Sequence, residues 1–157
     1  MRKRKNEEVQ FTDEDGMREL KKGFPKAEEL LKNREKMDQV LVRVSRKIKK
    51  IPLVGGPLSE APVMIAMVTQ YLSGEYRQVP KGSIIAIVSA LIYFLTLGDV
   101  IPDVIPIVGY LDDAVVFAAC LLLVRKDIVA YKVWRKANKQ RKETDDDEKN
   151  ISDEALQ

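Results

Sequence analysis

Histidine is missing from the chain, and cysteine occurs once, at Cys120. Without histidine the common zinc sites and every histidine-based acid–base or triad mechanism are excluded, and one cysteine cannot build an intramolecular disulfide framework. Carboxylate, lysine and hydroxyl groups remain for chemistry. Nothing in their order along the chain defines a reaction, so the expectation is a protein that is not an enzyme. Aromatic residues supply only 6% of the 157 positions. Also missing is an apolar run of about twenty residues, the length a helix needs to cross the ~30 Å hydrocarbon core of a bilayer. The two longest apolar stretches, residues 84–97 and 114–124, hold fourteen and eleven residues.

What is present is 45% hydrophobic and 32% charged, enough for one domain with tails. The net charge of +3 conceals a block pattern. Residues 1–50 carry 16 Lys/Arg against 10 Asp/Glu, and residues 125–143 carry 8 against 2. Between them, residues 51–124 hold only Arg77 and Lys81 as cations against six acids, and residues 144–157 hold one cation against six acids. Two basic flanks around an apolar centre point to an anionic surface, and the apolar centre favours phospholipid over nucleic acid. No interleaving of aromatic and basic residues supports nucleic-acid binding. The start MRKRKNEEVQ is basic but lacks the apolar stretch of a secretory signal, so the N-terminus is expected to stay cytoplasmic. Residues 1–26 and 139–157 hold too few apolar side chains to offset the entropy of ordering them, and both are expected to be charged tails, the second disordered.

The domain between them, residues 27–138, reads as all-α. From residue 27 to 51, Leu30, Met37, Val40, Leu41, Val44, Ile48 and Ile51 recur at helical spacing, with Arg43, Arg46, Lys47, Lys49 and Lys50 on the rest of the surface. Pro52, Gly55, Gly56 and Pro57 then break the chain. A second helix is expected over 61–72, ended by Ser73, Gly74 and Pro80, and a third over 84–97, capped by Ser83 and apolar on nearly every side. Such a helix must be buried in protein or in lipid. Pro102 and Pro106 forbid a continuous helix through GDVIPDVIPIVGYLDD, and Asp112 or Asp113 is expected to start the last helix. No strand alternation or hairpin signal occurs. The architecture is a small helical bundle with a central apolar hairpin, 84–124, broken by a Pro/Asp loop. Arg77 and Lys81 precede the hairpin, Arg125 and Lys126 follow it, and the loop holds no cation, so both ends are placed in the cytoplasm. Two placements follow: a hairpin embedded in or docked on the cytoplasmic membrane, with Tyr131 and Trp134 near the interface, or the core of a soluble helical interaction module with an unspecified protein partner.

The string from Tyr93 and Phe94 through Asp99-Val100-Ile101-Pro102-Asp103-Val104-Ile105-Pro106 to Gly109-Tyr110-Leu111-Asp112-Asp113 resembles the YkvA-like family, a mainly bacterial domain of unknown function. Upstream, Tyr71, Gly74, Tyr76, Arg77 and Pro80 resemble the family's lead-in. The likeness covers roughly residues 27–137 and departs from the pattern at Leu97 and Gly98, where the family usually carries proline and an aliphatic residue. It implies a small helical protein, usually regarded as membrane-associated, with no established activity.

Two readings of the acidic loop stay open. Asp99, Asp103, Asp112 and Asp113, gathered by a loop that Pro102, Pro106 and Gly109 shape, offer the oxygen ligands that Mg²⁺ or Ca²⁺ prefers, and a neighbouring pair can share a proton. Alternatively Asp99 and Asp103 close turns while Asp112 and Asp113 cap the last helix, with Lys81, Arg77 or Arg125 available as buried ion-pair partners. No cofactor is expected beyond the Mg²⁺ or Ca²⁺ of the first reading. Cys120 lies in an apolar run and reads as an inert buried thiol. Tyr71, Tyr76 and Tyr93 read as packed rings, and Gly55-Gly56 lacks the Lys-Ser/Thr of a phosphate loop.

Overall fold

The computed structural model describes residues 13–50, 57–100 and 106–156, with backbone alone at 13, 97–100 and 106–114. The described residues contain six α-helices and no strand: α1 Asp13–Lys22, α2 Phe24–Leu31, α3 Arg34–Lys49, α4 Ala61–Ser73, α5 Lys81–Val100 and α6 Pro106–Ala155. A short 3-10 turn, Pro57–Glu60, leads into α4. The all-α bundle expected from the sequence is what forms. The chain divides into two units, Met1–Val124 and Arg125–Gln157, the second being the continuation of α6.

In the first unit α5 is the central element and touches α1, α2, α3 and α4. Ile84, Ile85, Ala86, Ile87, Val88, Ala90, Leu91 and Phe94 are all buried, from different sides of the helix. Each large aliphatic removed from water here contributes roughly 1.5–3 kcal/mol, and among the described residues this helix supplies the largest share of the buried core. The partners present complementary stripes. Met37, Leu41, Val44 and Ile48 of α3, spaced at three and four, are buried together, as are Ala61, Met64, Met67 and Val68 of α4. Phe94 meets Phe117 of α6 edge to face, ring centroids 5.9 Å apart at 82°.

Several boundaries differ from the expectation. The segment read as an N-terminal tail, 1–26, forms α1 and the start of α2 from Asp13 onward, and its Leu20 is fully buried. Its sequence is polar because α1 contributes a narrow contact: Leu20 packs inward, and Gly16 comes so near α6 that a Cβ there would stand 2.7 Å from Val115 Cγ1. Acids at the start of α1 and Lys21 and Lys22 at its end complement the helix dipole. The helix expected over 27–51 is broken at Lys32 and Asn33. Asn33 is extended (φ −117°, ψ 98°), and its side chain accepts from the Lys36 amide at 3.1 Å, the geometry of an N-cap. Ile51 lies outside the described residues.

The helix expected over 61–72 forms as α4, and Gly74 closes it in the left-handed conformation at φ 85°. α5 begins at Lys81, two residues before Ser83, because the Ser83 and Ile84 amides both donate to the Pro80 carbonyl at 3.0 and 3.4 Å. The last helix starts at Pro106, not at Asp112 or Asp113. Proline suits a first helical position because its missing amide hydrogen has no partner there anyway. The segment read as a disordered tail, 139–157, is helical to Ala155. From residue 110 to the last residue the sequence contains neither glycine nor proline, and opposite charges stand four apart at Lys139/Glu143, Arg141/Asp145, Lys142/Asp146 and Lys149/Asp153.

Candidate functional site

The acidic loop is where the sequence placed the site. Asp99 falls in the last turn of α5, and Gly109, Asp112 and Asp113 fall in the first turns of α6. The side chains of these residues, and Pro102 and Asp103 entirely, lie outside the described residues. Among the described residues no group of three or more Asp, Glu, Cys or His could hold a metal ion. Capping by Asp112 and Asp113 is corrected by the helix start at Pro106, which puts them in the second turn. Arg77, Lys81 and Arg125, expected as buried partners of the loop, are all exposed. Arg77 instead lies over the Tyr71 ring, 5.3 Å from its centroid.

Leading to the loop is an arrangement that the sequence did not announce. Lys47, in the last turn of α3, donates from Nζ to the Phe94 carbonyl and stands 4.3 Å from the centroid of the Phe94 ring. A cation over a ring face is held by the ring quadrupole, here beside a half-buried backbone acceptor. Lys47, Phe94 and Phe117 thus tie α3, α5 and α6 together one turn before Asp99. In the sequence Lys47 looked like one more cation among Arg46, Lys49 and Lys50. Its position three residues from the buried Val44 and next to Ile48 was the available signal.

Ser89 is the second residue missed. It is 1% exposed inside the apolar run of α5, and its hydroxyl donates to the Leu20 carbonyl at 2.6 Å, fastening α1 to the core helix. A hydroxyl in a helix buried on all sides must find a partner, which is the rule that could have singled it out. Tyr76 is buried and donates weakly to the Gln78 carbonyl at 3.5 Å, as expected of a packed ring. Cys120 is buried, and desolvation pushes its thiol from 9.0 up to about 12, so it stays protonated and a poor nucleophile.

The apolar helix of the expected membrane hairpin is thus covered by protein over residues 84–94. Among the described residues no helix is long and apolar enough to cross a membrane. The transmembrane reading of the hairpin is corrected accordingly: α5 was apolar on every side because four other helices surround it. Exposed apolar side chains occur instead on α6, at Leu122, Leu123, Val129 and Val133.

Comparison with known proteins gives two matches. The model of a family described as "Protein of unknown function (DUF1232)" matches residues 83–119. "Uncharacterized membrane protein YkvA" of Bacillus subtilis (strain 168) is 30% identical over 69 residues, which is 44% of this chain and 65% of that protein. The chain therefore spans just under two thirds of the length of that relative. No solved structure matches.

Proposed function

Because the chain carries a domain of the YkvA-like family, we propose that it is a non-enzymatic, membrane-associated protein that docks on the cytoplasmic face of a membrane, with both termini on that side. Anionic phospholipid is the proposed partner, and nucleic acid is not. The apolar helix buried over residues 84–91 serves as its protein core and does not enter the hydrocarbon.

One observation carries this reading: the most apolar helix of a chain similar to a protein named as a membrane protein is enclosed by four other helices. Attachment then falls to exposed basic residues, 43, 46 and 49 in the first unit and 125, 126 and 136 in the second. Asp99, Asp103, Asp112 and Asp113 are assigned no ligand in it.

Fractionation of the full chain from cells is the test. Sedimentation with membranes at low ionic strength and release by a high-salt wash is the expected result. Retention through both high salt and alkaline carbonate would mean an inserted hairpin and would overturn docking. A chain that stays in the supernatant at low ionic strength would overturn membrane association and leave the soluble interaction module.

A further inference from the structure

One face of α6 in the second unit, Arg125–Gln157, carries a pattern that nothing in the fold explains. Val129 and Val133 are 56% and 66% exposed, and Arg125, Lys126 and Lys136 are exposed beside them. At about 100° per residue these five side chains fall within an arc of about 100° and a rise of about 16 Å. Asp127 is the only acid between residues 125 and 142. It lies about 150° round the helix from the centre of that arc. Ile128 and Tyr131, which are buried, occupy the opposite side.

We infer that this face of α6 is the docking surface for anionic phospholipid, an inference that rests on the membrane reading above. A helix lying in the plane of a bilayer sinks its apolar stripe to the boundary between headgroups and acyl chains, while flanking cations meet the phosphates. Lysine and arginine stems extend apolar cover on either side of the valines and carry their charges outward to the headgroups. The other occupants fit less well. A second copy of the chain would need the apolar seam to continue along this unit, and beyond Val133 it meets Lys136, Gln140 and Asp147 instead. Nucleic acid is held by cations alone and gives two exposed valines in mid-stripe nothing to contact.

The same face has a defined end. Glu143 and Asp147 stand five turns beyond Arg125 and Val129, at the same angular positions, and an anionic surface repels both. Contact is therefore confined to residues 125–140, and the acidic turn weakens it.

Co-sedimentation of the purified full chain with vesicles tests this, using phosphatidylcholine alone and phosphatidylcholine with roughly a third phosphatidylglycerol. The anionic vesicles are expected to bind the chain. Arg125→Gln/Lys126→Gln/Lys136→Gln is expected to weaken that binding on the order of 100-fold, at about five-fold per charge. Val129→Ser/Val133→Ser, with every charge intact, is expected to weaken it roughly ten-fold. Glu143→Gln/Asp147→Asn is expected to tighten it, a gain that a merely misfolded variant would not produce. All five positions of the face are exposed, so helicity by circular dichroism stays at the wild-type level.

If wild type binds the anionic vesicles and the charge and valine variants bind equally well, this face is not the contact and the inference falls while membrane association stands. If wild type binds neither vesicle, both fall together. Binding to a DNA duplex that the charge variant loses and the valine variant keeps, with no vesicle binding, would make the occupant nucleic acid and overturn the inference.

Discussion

Gly23 and Ser89 meet where α2 begins and α5 runs past it. Gly23 has ordinary right-handed angles (φ −83°, ψ −8°), so its backbone does not demand glycine. Space does: a Cβ would stand 2.2 Å from Ser89 Oγ, while Ser89 Cβ and the Leu20 carbonyl are at 3.3 and 3.5 Å. Gly23→Ala is therefore expected to cost about 1–3 kcal/mol through overpacking. Ser89→Ala alone is expected to cost about 1 kcal/mol, the hydroxyl's bond to Leu20, whose carbonyl keeps the Gly23 amide at 3.2 Å. With the hydroxyl gone the alanine methyl fits, so the double variant costs less than the two singles together. Urea midpoints of the four proteins measure the coupling, and strict additivity would show that the hydroxyl is not the obstruction.

Cys120 makes a prediction of a different kind. Burial raises its pKa to about 12, whereas the exposed thiol of the unfolded chain ionises near 9.0. The protonated thiol's contribution is fully present below pH 9. As pH rises from there toward 12 the unfolded state loses its proton first, and stability falls by at most ~1.4 kcal/mol per pH unit. Cys120→Ala is expected to remove that alkaline loss, seen as a flatter dependence of the urea midpoint on pH above 9. Thiol-labelling at neutral pH is expected to follow the unfolding transition and to leave the folded chain untouched.

Among the elements, the ends of helices decide what the sequence disclosed. The core stripe Met37, Leu41, Val44 and Ile48 was legible because its three-and-four spacing is the helical period itself. Gly74 was legible as a stop, and its φ of 85° is why: alanine there is expected to cost about 1 kcal/mol. The stop at Asn33 was not legible, since no proline or glycine marks it and the apolar pattern runs on across it. Its cap bond to Lys36 is a local choice of one side chain, and Asn33→Ala is expected to lower stability by about 1 kcal/mol in thermal unfolding. An unchanged midpoint would mean that tertiary packing alone holds the break. α1 was hidden for another reason, because its hold on the core runs through Leu20, a glycine contact and a backbone carbonyl, none of which gives an apolar periodicity. Of the candidate site, the acidic side chains lie outside the described residues, and Lys47 and Ser89 were invisible because what distinguishes them is their partners on other helices.

At the scale of the whole molecule the two units owe their order to different forces. In Met1–Val124 a helix buried on all sides is surrounded by others, so amides of Ile84 to Leu91 are expected to exchange with solvent only when the whole unit opens. In Arg125–Gln157, the side chains from Lys139 to Leu156 are exposed. A stretch of that length without burial is marginal as a helix in water. Opposite charges four apart supply about 0.2–0.5 kcal/mol per pair, and most stand with the cation first, the weaker order. Asp153 and Glu154 lie next to the negative end of the helix dipole, which disfavours the last turn further. Amides beyond residue 139 are therefore expected to exchange orders of magnitude faster than those of α5. Because the pairs are screened within about 3 Å at 1 M salt, raising the salt to that level is expected to melt this end and lower the helical ellipticity while the near-ultraviolet signal of the core is unchanged. Slow exchange across 139–155 that persists in 1 M salt would require an apolar surface covering this end, and would assign its order to a partner instead of to its own charges.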